Sequence, residues 1–300
     1  MPELPEVETI KQGLESELLS KTIARVDVIN TQSMPAERKL VEGYVVGGKV
    51  DKLWRRGKVM GIDLDTGYSL LIHLKMTGQL IYNYKPRDAK QGIANKARIA
   101  GGHPTKSIIS QLPDNSTRAI LEFDDGSRLY FNDQRKFGWI KLVATEDIIE
   151  EPLLKTMGAE PLDHEFTFNE LCRKISHRRS PVKATLLDQH NVAGIGNIYA
   201  DESLHLANIH PLTHPRDLTA EELRRLHQAI KTIISSGIEH GGTTLRDYIN
   251  HEGEKGDYLA VARVFDREGE ACPECGVAIE KIKVAGRGTH FCPECQIYKQ

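Results

Sequence analysis

Apolar residues in the first half of the chain come in short clusters of the kind that fill a pleated sheet. Val26-Val28-Ile29, Tyr44-Val45-Val46, Val59-Gly61-Ile62-Leu64, Leu70-Leu71-Ile72-Leu74, Ala119-Ile120-Leu121-Phe123 and Leu129-Tyr130-Phe131 all fall between Thr22 and about Ala144. Turn signals such as Asp65-Thr66-Gly67 and Asp124-Asp125-Gly126 separate them. This spacing predicts an antiparallel sandwich or barrel. Ahead of it, Val7, Ile10, Leu14 and Leu18 repeat at helical spacing, so an amphipathic helix is expected from Pro5 to about Leu19. Between Lys85 and Arg118 the pattern dissolves into a polar stretch with seven basic residues against Asp88 and Asp114, read as an insertion.

After Pro152 the hydrophobic period becomes helical. Thr167-Phe168-Asn169-Glu170 and Thr219-Ala220-Glu221-Glu222 are capping boxes, and Ser180-Pro181 sets a cap before a proline at the first helical position. Leu223, Leu226, Ile230, Ile233 and Ile234 make one apolar face. The segment Asn191-Val192-Ala193-Gly194-Ile195-Gly196-Asn197 lies between two short helical patterns, and a helix beginning there with Asn197 as its cap would offer amides to an anion. Leu171 to Leu187 has no acidic residue but carries Arg173, Lys174, Arg178, Arg179 and Lys183, which points to phosphate. The expected division is a sheet domain over 1–150, a helical domain over 151–262 and a hairpin over 263–300, an α+β fold.

Composition adds little until the cysteines. At 39% hydrophobic and 27% charged, with a net charge of −2, the chain is globular, and bulk charge argues neither for nor against nucleic acid. No apolar run reaches the roughly 18 residues of a membrane span, and the start lacks the features of a signal peptide, so a cytoplasmic protein is expected. Four of the five cysteines are different in kind: Cys272-x2-Cys275, sixteen residues, then Cys292-x2-Cys295 is zinc-ligand spacing. Four thiolates close a tetrahedron and leave no position for water, so one structural Zn2+ is expected, with no organic cofactor. Cys172 remains as a buried thiol. Arg287, among the glycines of Ala285-Gly286-Arg287-Gly288-Thr289, is either a solvated turn residue or a guanidinium presented to phosphate.

These parts, in this order, resemble the formamidopyrimidine-DNA glycosylases, bacterial base-excision enzymes for oxidised purines. The resemblance covers nearly the whole chain. It rests on Met1-Pro2-Glu3-Leu4-Pro5-Glu6-Val7-Glu8-Thr9, Arg56-Gly57-Lys58, His73-Leu74-Lys75-Met76-Thr77-Gly78 and Asn132-Asp133-Gln134-Arg135-Lys136-Phe137-Gly138. Gly194-Ile195-Gly196-Asn197-Ile198-Tyr199-Ala200-Asp201-Glu202 and the zinc hairpin complete it. It implies an N-terminal antiparallel β-sandwich flanked by helices, then a helix-two-turns-helix domain with a four-cysteine zinc finger. The implied partner is double-stranded DNA containing oxidised purines or abasic sites, bound by a monomer.

Site residues follow from the resemblance position by position. Pro2, freed by removal of Met1, matches the family's amine nucleophile, which attacks C1′ of a flipped nucleotide and forms a Schiff base. Glu3 matches the proton donor for ring opening and base departure, Lys58 the proton donor of β-elimination, and Arg287 the zinc-finger arginine that grips the flanking phosphates. Met76, Arg135 and Phe137, with Lys136 beside them, match side chains that fill the vacated base stack. Arg179, Lys183 and Asn197 match the phosphate site, and His73 and Tyr248 match backbone contacts. Glu6, Glu202, Thr243 and Thr244 match the lesion pocket and its closing loop. Where the family pattern has a DNA-contacting histidine, this chain has Ser116, followed by Arg118. Two alternatives share these features: the endonuclease VIII group, which removes oxidised pyrimidines but tends to have glycine where Leu4 stands, and a non-catalytic DNA-binding homologue, which would not need Pro2, Glu3 and Lys58 together.

Overall fold

The computed structural model describes residues 1–84, 98–102, 111–243 and 257–298, with 98–100 described by their backbone alone. Most of the expected basic insertion therefore lies outside the described residues, as do Thr244 and Tyr248. The chain divides into two compact units, Met1–Lys155 with Gly241–Asp257, and Thr156–His240 with Tyr258–Gln300.

The first unit opens with α1 (Leu4–Leu18) and continues through β1 (Ile23–Val28), α2 (Arg38–Tyr44), β2 (Val50–Arg56), β3 (Val59–Leu64), β4 (Tyr68–His73), β5 (Gly78–Asn83), β6 (Arg98–Gly102), β7 (Thr117–Phe123), β8 (Arg128–Asp133) and β9 (Trp139–Ala144), ending in α3 (Pro152–Lys155). The strands form two sheets, in the orders β2-β3-β4-β9 and β1-β7-β8-β5-β6, with every pairing antiparallel. Leu53, Met60, Ile62 and Ile72 of the first sheet share one core with Leu80, Leu121, Phe123 and Phe131 of the second and with Val7, Ile10, Leu14 and Leu18 of α1. At roughly 1.5–3 kcal/mol for each fully buried aliphatic side chain, that stripe, more than helix propensity, fixes α1 and with it the residues at its N-terminus.

Tyr44-Val45-Val46 is not a strand. It closes α2: the amides of Val45 and Val46 both donate to Val41 O, at 2.9 and 3.0 Å, and the Val45 side chain is buried from a helical turn. Four strands carried too weak a pattern to be expected. β2 interrupts its apolar positions with Lys52, Arg55 and Arg56, β5 begins Gly78-Gln79, β6 falls inside the stretch expected as a polar insertion, and β9 contains Lys141.

The second unit contains α4 (Phe168–Ile175), α5 (Val182–Leu187), α6 (Asn197–Leu206), α7 (Ala220–Glu239), α8 (Tyr258–Val261) and the hairpin of β10 (Glu280–Val284) and β11 (Arg287–Phe291). Thr167 Oγ1 accepts from Glu170 N, and Thr219 and Glu222 form the reciprocal box. The five apolar residues expected on one face of α7 are all buried. Three details differ from expectation: Pro181, not Ser180, is the cap of α5, Gly196, not Asn197, is the cap of α6, and Cys172 is half-buried rather than buried. Ala285 and Gly286 both have left-handed φ, 48° and 78°, the two-residue turn whose twist suits a hairpin. No helix among the described residues is long and apolar enough to cross a membrane.

Candidate functional site

In the first unit, the start of α1 is held by its own acidic residues. Glu3 N donates to Glu6 Oε2 at 2.7 Å, and the Glu3 carboxylate accepts the Glu6 amide in return, a capping box that uses glutamate at both ends. The other Glu6 oxygen accepts from Thr243 N at 2.8 Å and Thr243 Oγ1 at 3.1 Å. One carboxylate thus ties the helix start to residues 241–243. Only glycine fits beside it, because Gly242 has φ +81° and a Cβ there would lie 2.7 Å from Glu6 Oε1. Glu6 and Thr243, expected at the lesion pocket, do meet, and Pro2 and Glu3 are buried beside them in sequence.

Lys58 sits in the two-residue turn between β2 and β3, and Arg55 straps that turn to α1. Its Nε donates to Glu8 Oε2 at 2.8 Å and its Nη1 to Gly57 O at 3.1 Å. Nothing in the sequence singled out Arg55. His73, paired with Val59 across the sheet, is buried, and its Nδ1 accepts from Lys75 N at 3.0 Å. Burial, helped by the charges of Lys75 and Lys58, pushes its pKa down to about 3, so it is a neutral support for the Lys75 backbone.

Met76 and Phe137 are apolar and exposed, at 38% and 54%. Both project from turns braced by the buried Asp133. Its carboxylate accepts from Thr77 Oγ1, from Arg135 N at 3.1 Å and from Gly138 N at 2.6 Å, and its carbonyl accepts from Arg118 Nε at 2.7 Å. The Arg135 guanidinium lies over the Phe137 ring, 4.8 Å from its centre, and Lys136 between them is exposed. Arg118 is consequently buried as a brace, and Ser116 bonds Asp114 through both its amide and its hydroxyl. Neither stands at the surface in place of a histidine.

In the second unit the basic cluster resolves into different roles. Arg173 pairs with Glu170, Lys174 donates to His190 O and Arg178 to Asn191 Oδ1, whereas Arg179 is exposed. Lys183 overturns the expectation of a phosphate contact. It is 0% exposed, and its ammonium donates to Asp201 Oδ1 at 2.7 Å, Thr289 Oγ1 at 2.7 Å and Gly288 O at 3.0 Å. Asp201 Oδ2 accepts from His290 N at 3.0 Å, and Asn197 Nδ2 donates to Gly288 O at 3.1 Å. Residues 288–290 are thereby pinned to α5 and α6, and the exposed Arg287 is presented from a fixed strand end. Glu202 is likewise no pocket residue. It is fully buried, and its two oxygens accept from the amides of Arg263, Val264 and Phe265 at 2.8–2.9 Å.

The Sγ atoms of Cys272, Cys275, Cys292 and Cys295 all lie within 4.8 Å of one another. A zinc tetrahedron with bonds of about 2.3 Å puts its sulfurs about 3.8 Å apart. The pairs Cys272–Cys295 at 3.9 Å and Cys275–Cys292 at 3.4 Å fit that figure, and four sulfurs complete the shell. The site takes one structural zinc.

Three family profiles match in series. The formamidopyrimidine-DNA glycosylase N-terminal domain matches residues 1–140, the formamidopyrimidine-DNA glycosylase H2TH domain matches 157–248, and the zinc finger found in FPG and IleRS matches 269–297. The chain belongs to the formamidopyrimidine-DNA glycosylase family. Members are DNA glycosylases, hydrolases of N-glycosyl bonds that act on damaged bases in DNA. The formamidopyrimidine-DNA glycosylase of Desulforamulus reducens is 42% identical over 299 residues, 99% of each chain, and that of Pelotomaculum thermopropionicum is 39% identical over the whole of both. Among solved structures, the MutM (Fpg) protein of Thermus thermophilus superposes with a TM-score of 0.81 at 36% identity, covering all of both chains. A Lactococcus lactis Fpg mutant in complex with Fapy-dG DNA gives 0.84 at 30% identity, covering 99% of this chain and all of that one.

Proposed function

We propose that this glycosylase excises oxidised purines, 8-oxoguanine and formamidopyrimidines, from double-stranded DNA and then cleaves the abasic strand by β,δ-elimination, acting as a cytoplasmic monomer. The observation that carries the reading is the strap of Glu8, Arg55 and Gly57, which fixes the Lys58 turn against α1, the helix that Pro2 and Glu3 immediately precede. The Lactococcus lactis relative has been solved with Fapy-dG DNA and with abasic-site DNA, which supports both substrate classes.

Once Met1 is removed, Pro2 presents a secondary amine at the mouth of α1. The amine attacks C1′, the glycosidic bond breaks, and the base leaves with its bonding electrons. Glu3 delivers the proton that opens the sugar, leaving an iminium between Pro2 and C1′. Loss of a C2′ proton expels the 3′ phosphate, and a second elimination expels the 5′ phosphate, so a one-nucleotide gap with phosphates at both ends remains. Lys58 serves the first elimination as proton donor, and Arg287 grips the departing phosphates. Met76, Arg135 and Phe137 fill the space of the extruded nucleotide, while Lys136, Arg179 and Asn197 contact backbone. Glu6 and Thr243 hold the entrance to the lesion site.

Gel analysis on 8-oxoguanine and preformed abasic duplexes tests these assignments. Arg287→Ala should bind more weakly and accumulate the β-elimination product. Lys58→Ala should lose 8-oxoguanine excision more than abasic-site cleavage, because Lys58 also contacts DNA beside the lesion and those contacts count only while the damaged base is present. Wild-type product ratios from both variants on both substrates would contradict the assignments, and faster turnover of an oxidised pyrimidine than of either purine would move the enzyme to the other substrate class.

A further inference from the structure

One side chain of α6 reaches the metal centre. His205, on the last turn of α6, is buried, and its Nε2 lies 3.4 Å from Cys272 Sγ. Its Nδ1 is also buried and has no hydrogen-bond partner among the described residues. Together these facts decide where the ring hydrogen sits. A hydrogen on Nδ1 alone would be an unsatisfied buried donor, at about 1–3 kcal/mol. On Nε2 it points at a sulfur that, as a zinc-bound thiolate, has no hydrogen of its own and can only accept.

We propose that His205 donates an Nε2–H···Sγ hydrogen bond to the zinc-bound thiolate of Cys272 and so acts as a positioning residue of the metal site. The bond draws electron density from that sulfur and holds the first knuckle in place, the role that outer-shell partners of metal ligands play. It gives α6 a grip on both parts of the finger. Asn197 and Asp201, earlier on the same helix, hold Gly288 and His290 of β11, and His205 holds the Cys272 knuckle.

The full-length protein with cobalt(II) in place of zinc tests this, because the thiolate-to-cobalt charge-transfer bands report sulfur electron density, which packing alone leaves unmoved. In His205→Phe, which keeps a ring but has no donor, the bands should move to lower energy, and the zinc form should release metal to a chelator about tenfold faster, the lower end of outer-shell effects. His205→Gln, whose amide N–H can reach the same sulfur, should keep the wild-type bands and release rate. If the phenylalanine variant does not fold, His205→Met, of similar volume and also without a donor, is compared with glutamine in the same way. Wild-type bands in the donor-free variant, or equal shifts in the donor-free and glutamine variants, would overturn the proposal.

Discussion

Lys183→Met separates a buried anchor from a DNA contact. The substitution removes an ammonium that is 0% exposed and leaves Asp201, also 0% exposed, charged and without its cation. It also strips Gly288 O and Thr289 Oγ1 of a donor. Removing one member of a buried ion pair costs about 3–5 kcal/mol. With a urea slope of about 2 kcal/mol per molar, the unfolding midpoint of the second unit should fall by about 1.5–2.5 M. The two units can be read apart, because both tryptophans, Trp54 and Trp139, lie in the first. Helical circular dichroism should therefore be lost at lower urea in Lys183→Met while tryptophan emission unfolds as in wild type. Adding Asp201→Asn should cost less than the sum of the single changes, by about 0.5–3 kcal/mol. A buried charge releases no counterion, so the salt dependence of DNA affinity should keep its slope, whereas Arg179→Ala should lower it by about 0.9. An unchanged midpoint with a slope lowered by about one unit would refute this reasoning and return Lys183 to the DNA face.

Chelation or Cys292→Ser removes a metal whose binding supplies on the order of 10–16 kcal/mol in isolated zinc fingers. The hairpin should unfold and DNA affinity should fall with no change in tryptophan emission, and elemental analysis of wild type should give one zinc per chain. His73 gives a pH dependence. Its folded pKa of about 3 lies below its unfolded value of 6.5, so its contribution is full above pH 6.5 and is lost as pH falls toward 3. The first unit should lose about 1.4 kcal/mol per pH unit below 6.5 from this group, and urea titrations at several pH values should show that loss missing in His73→Gln.

The zinc site was legible because its four ligands are two short-range pairs of one residue type, and α1 and α7 because their apolar faces repeat within a single helix. The sandwich was legible as a class, but its strand order was not, since β1 pairs with β7 and β5 with β8 across long stretches of chain. The errors at the site share a cause. Lys183 and Glu202 are charged residues in motifs that suggest a ligand, and each is instead satisfied by partners far away in sequence, Gly288 and Thr289 for one and Arg263 to Phe265 for the other. Burial by remote partners leaves no local pattern. Arg55, Asp133 and His205 carry no local signal for the same reason, because each matters through a side chain or amide it meets only after folding.

Borohydride trapping on a duplex containing 8-oxoguanine opposite cytosine tests most directly whether Pro2 is the nucleophile. Reduction of the iminium should leave a covalent protein–DNA adduct, and mass spectrometry of its peptides should place the sugar remnant on Pro2 in a chain lacking Met1. Pro2→Gly should give little adduct and lose most base excision while binding the same duplex nearly as well as wild type. An adduct mapped to Lys58 or another lysine, or base release with no trappable adduct at all, would contradict the account.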